Sequence, residues 1–190
     1  MLFKTVFFAC LIILASCETS DKKIPTDGVF IIITEKGSGT CWAIDKSHVV
    51  TNFHVVGTMN LIVIKGKVFQ AGLVNYVNNG NTDVAILEVC NIEESLSPLV
   101  ISKEKPKIGD SVRVMGFPMS IGPVLSTGIV GGYMKELIIT DCDFSAGSSG
   151  SPVFNTNWQV VGIATAYKDC GIGSGFGLFQ DIKIIKELDH

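Results

Sequence analysis

Short apolar runs, separated by breaks rich in glycine, asparagine and proline, account for most of the chain. Val29-Phe-Ile-Ile-Ile-Thr34 is followed by a Gly37-Ser-Gly39 break and by Thr40-Cys-Trp-Ala-Ile44. His48-Val-Val-Thr51 comes next, then Leu61-Ile-Val-Ile-Lys65 and Val68-Phe-Gln-Ala71, with Gly66 at the turn between them. The polar loop Asn78-Asn-Gly-Asn-Thr82 leads into Asp83-Val-Ala-Ile-Leu-Glu-Val89. Runs this short, β-branched and bounded by turn formers, predict strands. A charged connector from Glu93 to Lys107 carries Pro98 and Pro106, and Leu99-Val-Ile101 is its one strand-like run. Beyond it the pattern resumes over Ile108–Pro118, Val124–Val130, Leu137–Thr140, Pro152–Phe154, Trp158–Thr165 and Phe176–Phe179. The expectation is an all-β fold of two barrel lobes, about 29–97 and 107–182. Ile182, Ile185 and Leu188 behind Asp181, a candidate N-cap, predict a short closing helix.

Composition narrows the class. At 190 residues, with 47% hydrophobic and 17% charged, the chain supports a packed core and is not a disordered one. A net charge of −3 leaves no basic footprint for nucleic acid. At the N-terminus, Lys4 precedes the apolar run Val6–Leu14 and small residues follow, the pattern of a secretory signal. The run is too short to span a bilayer comfortably. Leu14-Ala-Ser-Cys17 resembles the lipobox of bacterial lipoproteins. That resemblance implies a signal peptide over 1–16, a lipid on Cys17, and an exported chain anchored in a bacterial cell envelope, facing the periplasm or the exterior. Residues 17–28 then form a polar tether, and the folded domain occupies 29–190. Losing the leader also removes Cys10 and makes the net charge one unit more negative. Cys41, Cys90, Cys142 and Cys170 remain, an even number in an oxidising setting, which permits three pairings or none. No Cys-x-x-Cys pair is present, so a metal site is not expected.

Three residues carry candidate chemistry. In Thr140-Asp-Cys-Asp-Phe-Ser-Ala-Gly-Ser-Ser-Gly-Ser-Pro152, glycines on both sides of the Ser148–Ser149 pair let the backbone turn its N–H groups toward one point. A hydroxyl beside converging donors is what a nucleophilic serine needs, and Ser149 is the candidate; the plain alternative is a polar turn. His54, in Thr51-Asn-Phe-His-Val-Val56, ends a strand and can project into a cleft as a base. Of the other histidines, His48 lies in an apolar strand and His190 is the terminus. Asp83 stands where a polar loop enters an apolar strand, a place from which a carboxylate can orient a histidine or simply end a turn.

Taken together these pieces resemble the trypsin/chymotrypsin-like serine peptidases, most closely the bacterial HtrA/Deg-type branch. The matching segments are Gly37-Ser-Gly39, Thr51–Val56, Asp83–Leu87, Ile108-Gly-Asp110, Gly116-Phe-Pro118, Ser126–Val130, Thr140-Asp141 and Gly147–Pro152, all in family order from about Val29 to Ile182. The resemblance implies two six-stranded antiparallel barrels around a central cleft and a peptidase without metal or cofactor, acting on protein or peptide substrates. It assigns Ser149 as nucleophile, His54 as general base and acid, Asp83 as orienting carboxylate, and the N–H groups of Gly147 and Ser149 as oxyanion hole. Thr165, Ala166 and Tyr167 would pair with substrate backbone. Asp143, six residues before Ser149, stands where trypsin-like members place the aspartate that selects Arg or Lys. Cys142 and Cys170 correspond roughly to a family disulfide.

The chain departs from the branch in lacking room for a PDZ domain and in carrying Ser148 where asparagine or aspartate is usual. A catalytically silent peptide-binding module on the same fold is the alternative function. An α/β-hydrolase is excluded, because Ser151 breaks Gly-x-Ser-x-Gly and the order is His, Asp, Ser.

Overall fold

The β-branched runs pair with their sequence neighbours and curl until the sheets close. The computed structural model describes residues 23–171 and 174–188. The leader over 1–16, Cys17, the start of the tether and His190 lie outside the described residues. Among those described, no helix is long and apolar enough to cross a membrane.

β1 (Val29–Thr34), β2 (Gly37–Ala43), β3 (His48–Thr51), β4 (Asn60–Ile64), β5 (Lys67–Asn78) and β6 (Asp83–Val89) close in the order β1-β2-β3-β6-β5-β4. β7 (Ser111–Gly116), β8 (Val124–Met134), β9 (Leu137–Thr140), β10 (Pro152–Phe154), β11 (Val160–Gly171) and β12 (Ser174–Asp181) close in the order β10-β11-β12-β9-β8-β7. These are the two six-stranded antiparallel barrels expected, and closure leaves few unpaired edges.

Several strands exceed their apolar runs. β5 continues past Ala71 to Asn78, through an irregularity between Leu73 and Asn75, and much of it faces solvent. β8 and β11 extend likewise to Met134 and Gly171. Leu99–Ile101 is not a strand. Ile101 makes one isolated parallel bridge to Val160, and the Leu99 N–H donates to the Ala43 carbonyl at 2.9 Å. The connector is thus laced to both barrels.

The closing helix is a 3₁₀ segment, Ile182–Glu187, and Asp181 caps it by accepting from the Lys183 N–H at 3.0 Å. Its buried residues, Ile182, Ile185 and Leu188, recur every third position, the period of a 3₁₀ rather than an α-helix.

Side chains on a strand alternate between faces, and this explains why several strands lack a polar face. On β6, Ala85, Leu87 and Val89 enter the first barrel's core, whereas Val84 and Ile86 point outward into a second apolar cluster. On β2, Cys41 and Ala43 lie inside and Trp42 outside. The outward set meets Met115, Phe154, Val160 and Ile163 of the second barrel and the 3₁₀ residues, so the seam between barrels is itself a core. Val112, Val130, Ile138, Val153 and Phe179 fill the second barrel.

Cys41, Cys90 and Cys142 are free thiols. The bridge between Cys142 and Cys170 implied by the resemblance is therefore not formed. Cys142 turns into the second barrel's core, its thiol facing the Val112 carbonyl at 3.8 Å. The side chain of Cys170 lies outside what is described.

Trp42 is fully buried at the seam. Trp42→Ala is expected to lower unfolding free energy by about 3–5 kcal/mol, against about 0.5–1.5 for Ile32→Val in one barrel's core. Urea denaturation of both variants measures the difference.

Candidate active site

β3 and β6 are hydrogen-bonded neighbours, with Thr51 opposite Ala85, so the residues just beyond their ends meet. After β3 the chain makes one 3₁₀ turn, Phe53–Val55, which lifts His54 out of the barrel. Asp83 opens β6. The His54 backbone N–H donates to Asp83 Oδ1 at 3.0 Å, and ring Nδ1 bonds to Oδ2. With Nδ1–H given to a carboxylate, Nε2 is left as an acceptor, the tautomer a general base requires.

Burial pushes the Asp83 carboxyl up. The hydrogen bond and charge of the His54 ring, with backbone N–H groups of His54 and Phe53, outweigh it and hold the carboxyl below its ordinary 3.8. The Asp83 main chain is pinned as well. Its carbonyl accepts from Asn52 Nδ2 at 2.7 Å, and its N–H donates to Gln180 Oε1 of the second barrel at 3.3 Å.

The Ser149 loop is folded by peptide orientation. Gly147 (φ 95°) and Gly150 (φ 86°) occupy backbone space that side chains disfavour. A Cβ on Gly147 would strike the Phe117 carbonyl, and one on Gly150 the Thr40 carbonyl. The Ala146 carbonyl accepts from Met119 N–H at 2.6 Å, and the Ser148 carbonyl from Ser151 N–H at 3.1 Å. In a trans peptide the N–H points opposite to the C=O. The N–H groups of Gly147 and Ser149, partners of those two carbonyls, are therefore turned away from the loop and find no acceptor among the described residues. Two free donors flanking a hydroxyl can stabilise an oxyanion. Ser148 braces the same loop, accepting from the Ser145 N–H at 3.1 Å.

Ser149 Oγ makes a long contact, 3.5 Å, to the Thr165 carbonyl. No hydrogen bond between Ser149 and His54 occurs among the described residues. Asn52 connects the two halves, its Nδ2 also reaching Thr165 Oγ1 at 3.2 Å.

Thr165, Ala166 and Tyr167 lie on β11, past the point where β10 stops pairing with it. That edge has β12 on one side only, and Ala166 and Tyr167 are exposed. Asp143 is exposed, its N–H bound to Ser126 Oγ at 2.8 Å, on the wall of a roughly 450 Å³ cavity with Met119, Val124, Leu125 and Phe144. Ser149 and the Thr165–Tyr167 edge are not part of that wall. His48 sits apart on β3, bonded to Asp45 at 2.8 Å. Among the described residues no cluster is suited to a metal.

Double barrel and motif order agree with the family model for the trypsin-like peptidase domain, which matches residues 37–163. The chain belongs to that family. It is 28% identical over 157 residues to the periplasmic pH-dependent serine endoprotease DegQ of Escherichia coli K12, and 29% identical over 157 residues to the periplasmic serine endoprotease DegP of the same strain. Both alignments take in 75% of this chain but only 34% and 33% of the relatives, so the chain spans about a third of their length. Among solved structures, the serine endoprotease of Yersinia pestis superposes with a TM-score of 0.74 at 23% identity, over 85% of this chain and 61% of the other. DegQ and DegP bear out the HtrA/Deg-type resemblance of the motifs, and the solved structure the fold.

Sequence reasoning missed Thr40, Asn52 and Gln180 as supports of the site. Asn52 was within reach, since it lies two residues before His54; the other two sit in strands with nothing local to mark them.

The lowered Asp83 carboxyl makes a signed prediction. The unfolded chain binds the extra proton, so this contribution to stability is complete above 3.8 and is lost as pH falls through the lower folded value. As pH falls below about 4, Asp83→Asn should lose stability less steeply than wild type, as followed by thermal unfolding.

Proposed function

We propose that this chain is a serine endopeptidase of HtrA/Deg type, exported and held at a bacterial membrane by a lipid on Cys17. The observation that carries the peptidase reading is the Asp83 carboxylate. It accepts from both the ring and the backbone of His54, which leaves Nε2 as the ring nitrogen open to a further partner, while the N–H groups of Gly147 and Ser149 stand without acceptors among the described residues.

In this reading a peptide lies along the open edge of β11, its backbone pairing with Thr165–Tyr167. Nε2 of His54 takes the Ser149 proton as Oγ attacks the scissile carbonyl. The carbonyl oxygen gains the negative charge and is met by the Gly147 and Ser149 donors, each worth on the order of 3–4 kcal/mol toward the transition state. The imidazolium, steadied by Asp83, returns the proton to the leaving amine, and water then releases the acyl group by the same steps in reverse. The long Ser149 contact to Thr165 breaks when Nε2 becomes the partner; such bonds are commonly loose before substrate arrives.

That resting contact also favours a second reading, a silent peptide-binding module. A fluorophosphonate probe separates the two: an active chain is labelled at Ser149, and a silent one stays unlabelled while still folded. Ser149→Ala should lower kcat by on the order of 10⁶-fold with peptide binding retained.

For specificity, Asp143 is the candidate determinant, its exposed carboxylate without a hydrogen-bonded partner side chain among the described residues. Profiling a random peptide library should give cleavage after Arg or Lys that disappears in Asp143→Ala. Cleavage after small apolar residues would overturn this. Lipidation is tested by Cys17→Ser, which should move the protein from the membrane to the soluble fraction.

A further inference from the structure

We propose that Thr40 is a positioning residue of the oxyanion site, its hydroxyl bracing the peptide that presents the Gly147 N–H from both sides, through the Gly147 carbonyl and through the Phe117 turn that holds the Ala146 carbonyl. The inference rests on the peptidase reading above and extends it to a residue of the opposite barrel.

Thr40 lies on β2, fully buried. Its Oγ1 accepts from the Phe117 N–H at 2.9 Å and donates to the Gly147 carbonyl at 2.9 Å. A hydroxyl has one proton to give, so these two partners fix its orientation. The Thr40 backbone is engaged too: its N–H donates to the Ser149 carbonyl at 2.9 Å, and its carbonyl accepts from Thr51 Oγ1 at 2.7 Å. One residue of the first barrel thereby holds two peptides of the nucleophile loop and the start of the Phe117–Ser120 turn.

That turn is the second half of the clamp. Met119 (φ 50°) and Ser120 (φ 59°) are consecutive left-handed residues, each carrying a Cβ that disfavours the conformation. Three contacts hold them: Phe117 N–H on Thr40, Ser120 N–H on the Phe117 carbonyl at 3.2 Å, and the Ser120 hydroxyl against the Ser38 hydroxyl at 2.7 Å. The turn delivers the Met119 N–H to the Ala146 carbonyl. That carbonyl and the Gly147 N–H belong to one peptide, so whatever fixes the first aims the second. Gly147 itself offers little resistance to rotation, since glycine accepts many backbone angles. The Thr40 hydroxyl grips the arrangement from both ends, through Phe117 on the turn and Gly147 on the loop.

Valine matches threonine in shape but lacks the hydroxyl. In T40V, kcat should fall about tenfold or more with KM held within about twofold, because the oxyanion donor acts on the transition state and not on ground-state binding. Affinity for a peptide boronate, which mimics the tetrahedral adduct, should fall by the same factor. T40S, which restores the hydroxyl, should bring both back to within about threefold of wild type. Were T40V not to fold, Ser120→Ala opens the clamp from its exposed end and should likewise lower kcat at constant KM.

A folded T40V with wild-type kcat overturns the inference, as does a loss that T40S leaves uncorrected or one that appears in KM. If T40V does not fold, wild-type kcat in Ser120→Ala overturns it. A wild-type chain inert to substrate and fluorophosphonate alike overturns the peptidase reading and this inference with it. Turnover in wild type with kcat unchanged in T40V overturns the inference alone.

Discussion

The backbone from Ser149 to Ser151 is hydrogen-bonded to both barrels at once. The Ser149 carbonyl accepts from Thr40 on β2, while Gly150 and Ser151 exchange bonds with Ala164 on β11 at 2.8 and 2.9 Å. The loop is a strap across the seam, and its shape depends on how the barrels sit together. Their relative placement is set in turn by the apolar cluster around Trp42, Phe154 and Ile163. Packing there is dense enough that a shift of one barrel would be felt directly by the strap. Hydrophobic burial supplies the energy of the arrangement, and hydrogen bonds convert it into the orientation of individual peptides.

Electrostatics at the site follow from where β6 begins. A carboxylate deep in a barrel would take a proton rather than remain charged. Asp83 stands at the strand's first position, with its side chain 21% exposed, so its desolvation is partial. The hydrogen bonds and charge of His54, with the Phe53 N–H, then reverse the sign of the shift. Had the aspartate fallen two residues later, at Ala85 in the barrel core, no comparable set of donors would face it.

Much of this was legible along the chain, for identifiable reasons. Turn residues and β-branched runs mark strands locally, so the twelve strands and the connector stood out. His54, Asp83 and Ser149 stood out because each occupies a distinctive local setting and because their order is a family order. Other features depend on partners remote in sequence. The Thr40 hydroxyl meets Gly147 across 107 residues, and Asn52 meets Thr165 across 113; nothing near either residue announces it. The outer stretch of β5 was missed because a strand facing water need not be apolar. The closing helix was legible as a helix but its 3₁₀ type was not, because a three-residue spacing fits both helix types at so short a length. The Cys142 pairing failed for a related reason, since cysteine packs as readily as a small apolar residue in a core.

The separations across the seam have a consequence in time. The strap needs β2 for Thr40, the turn after β7 for Met119, and β11 for Ala164 and Thr165. A chain still emerging from the ribosome has no such strap until β11 has been made, and contacts of this range are slow to form even then. Every earlier intermediate lacks the oriented Gly147 peptide and the neighbours of Ser149. Ser149 lies late in the chain, on a loop that only a finished double barrel can shape, so the proposed nucleophile acquires its setting only when the domain is complete.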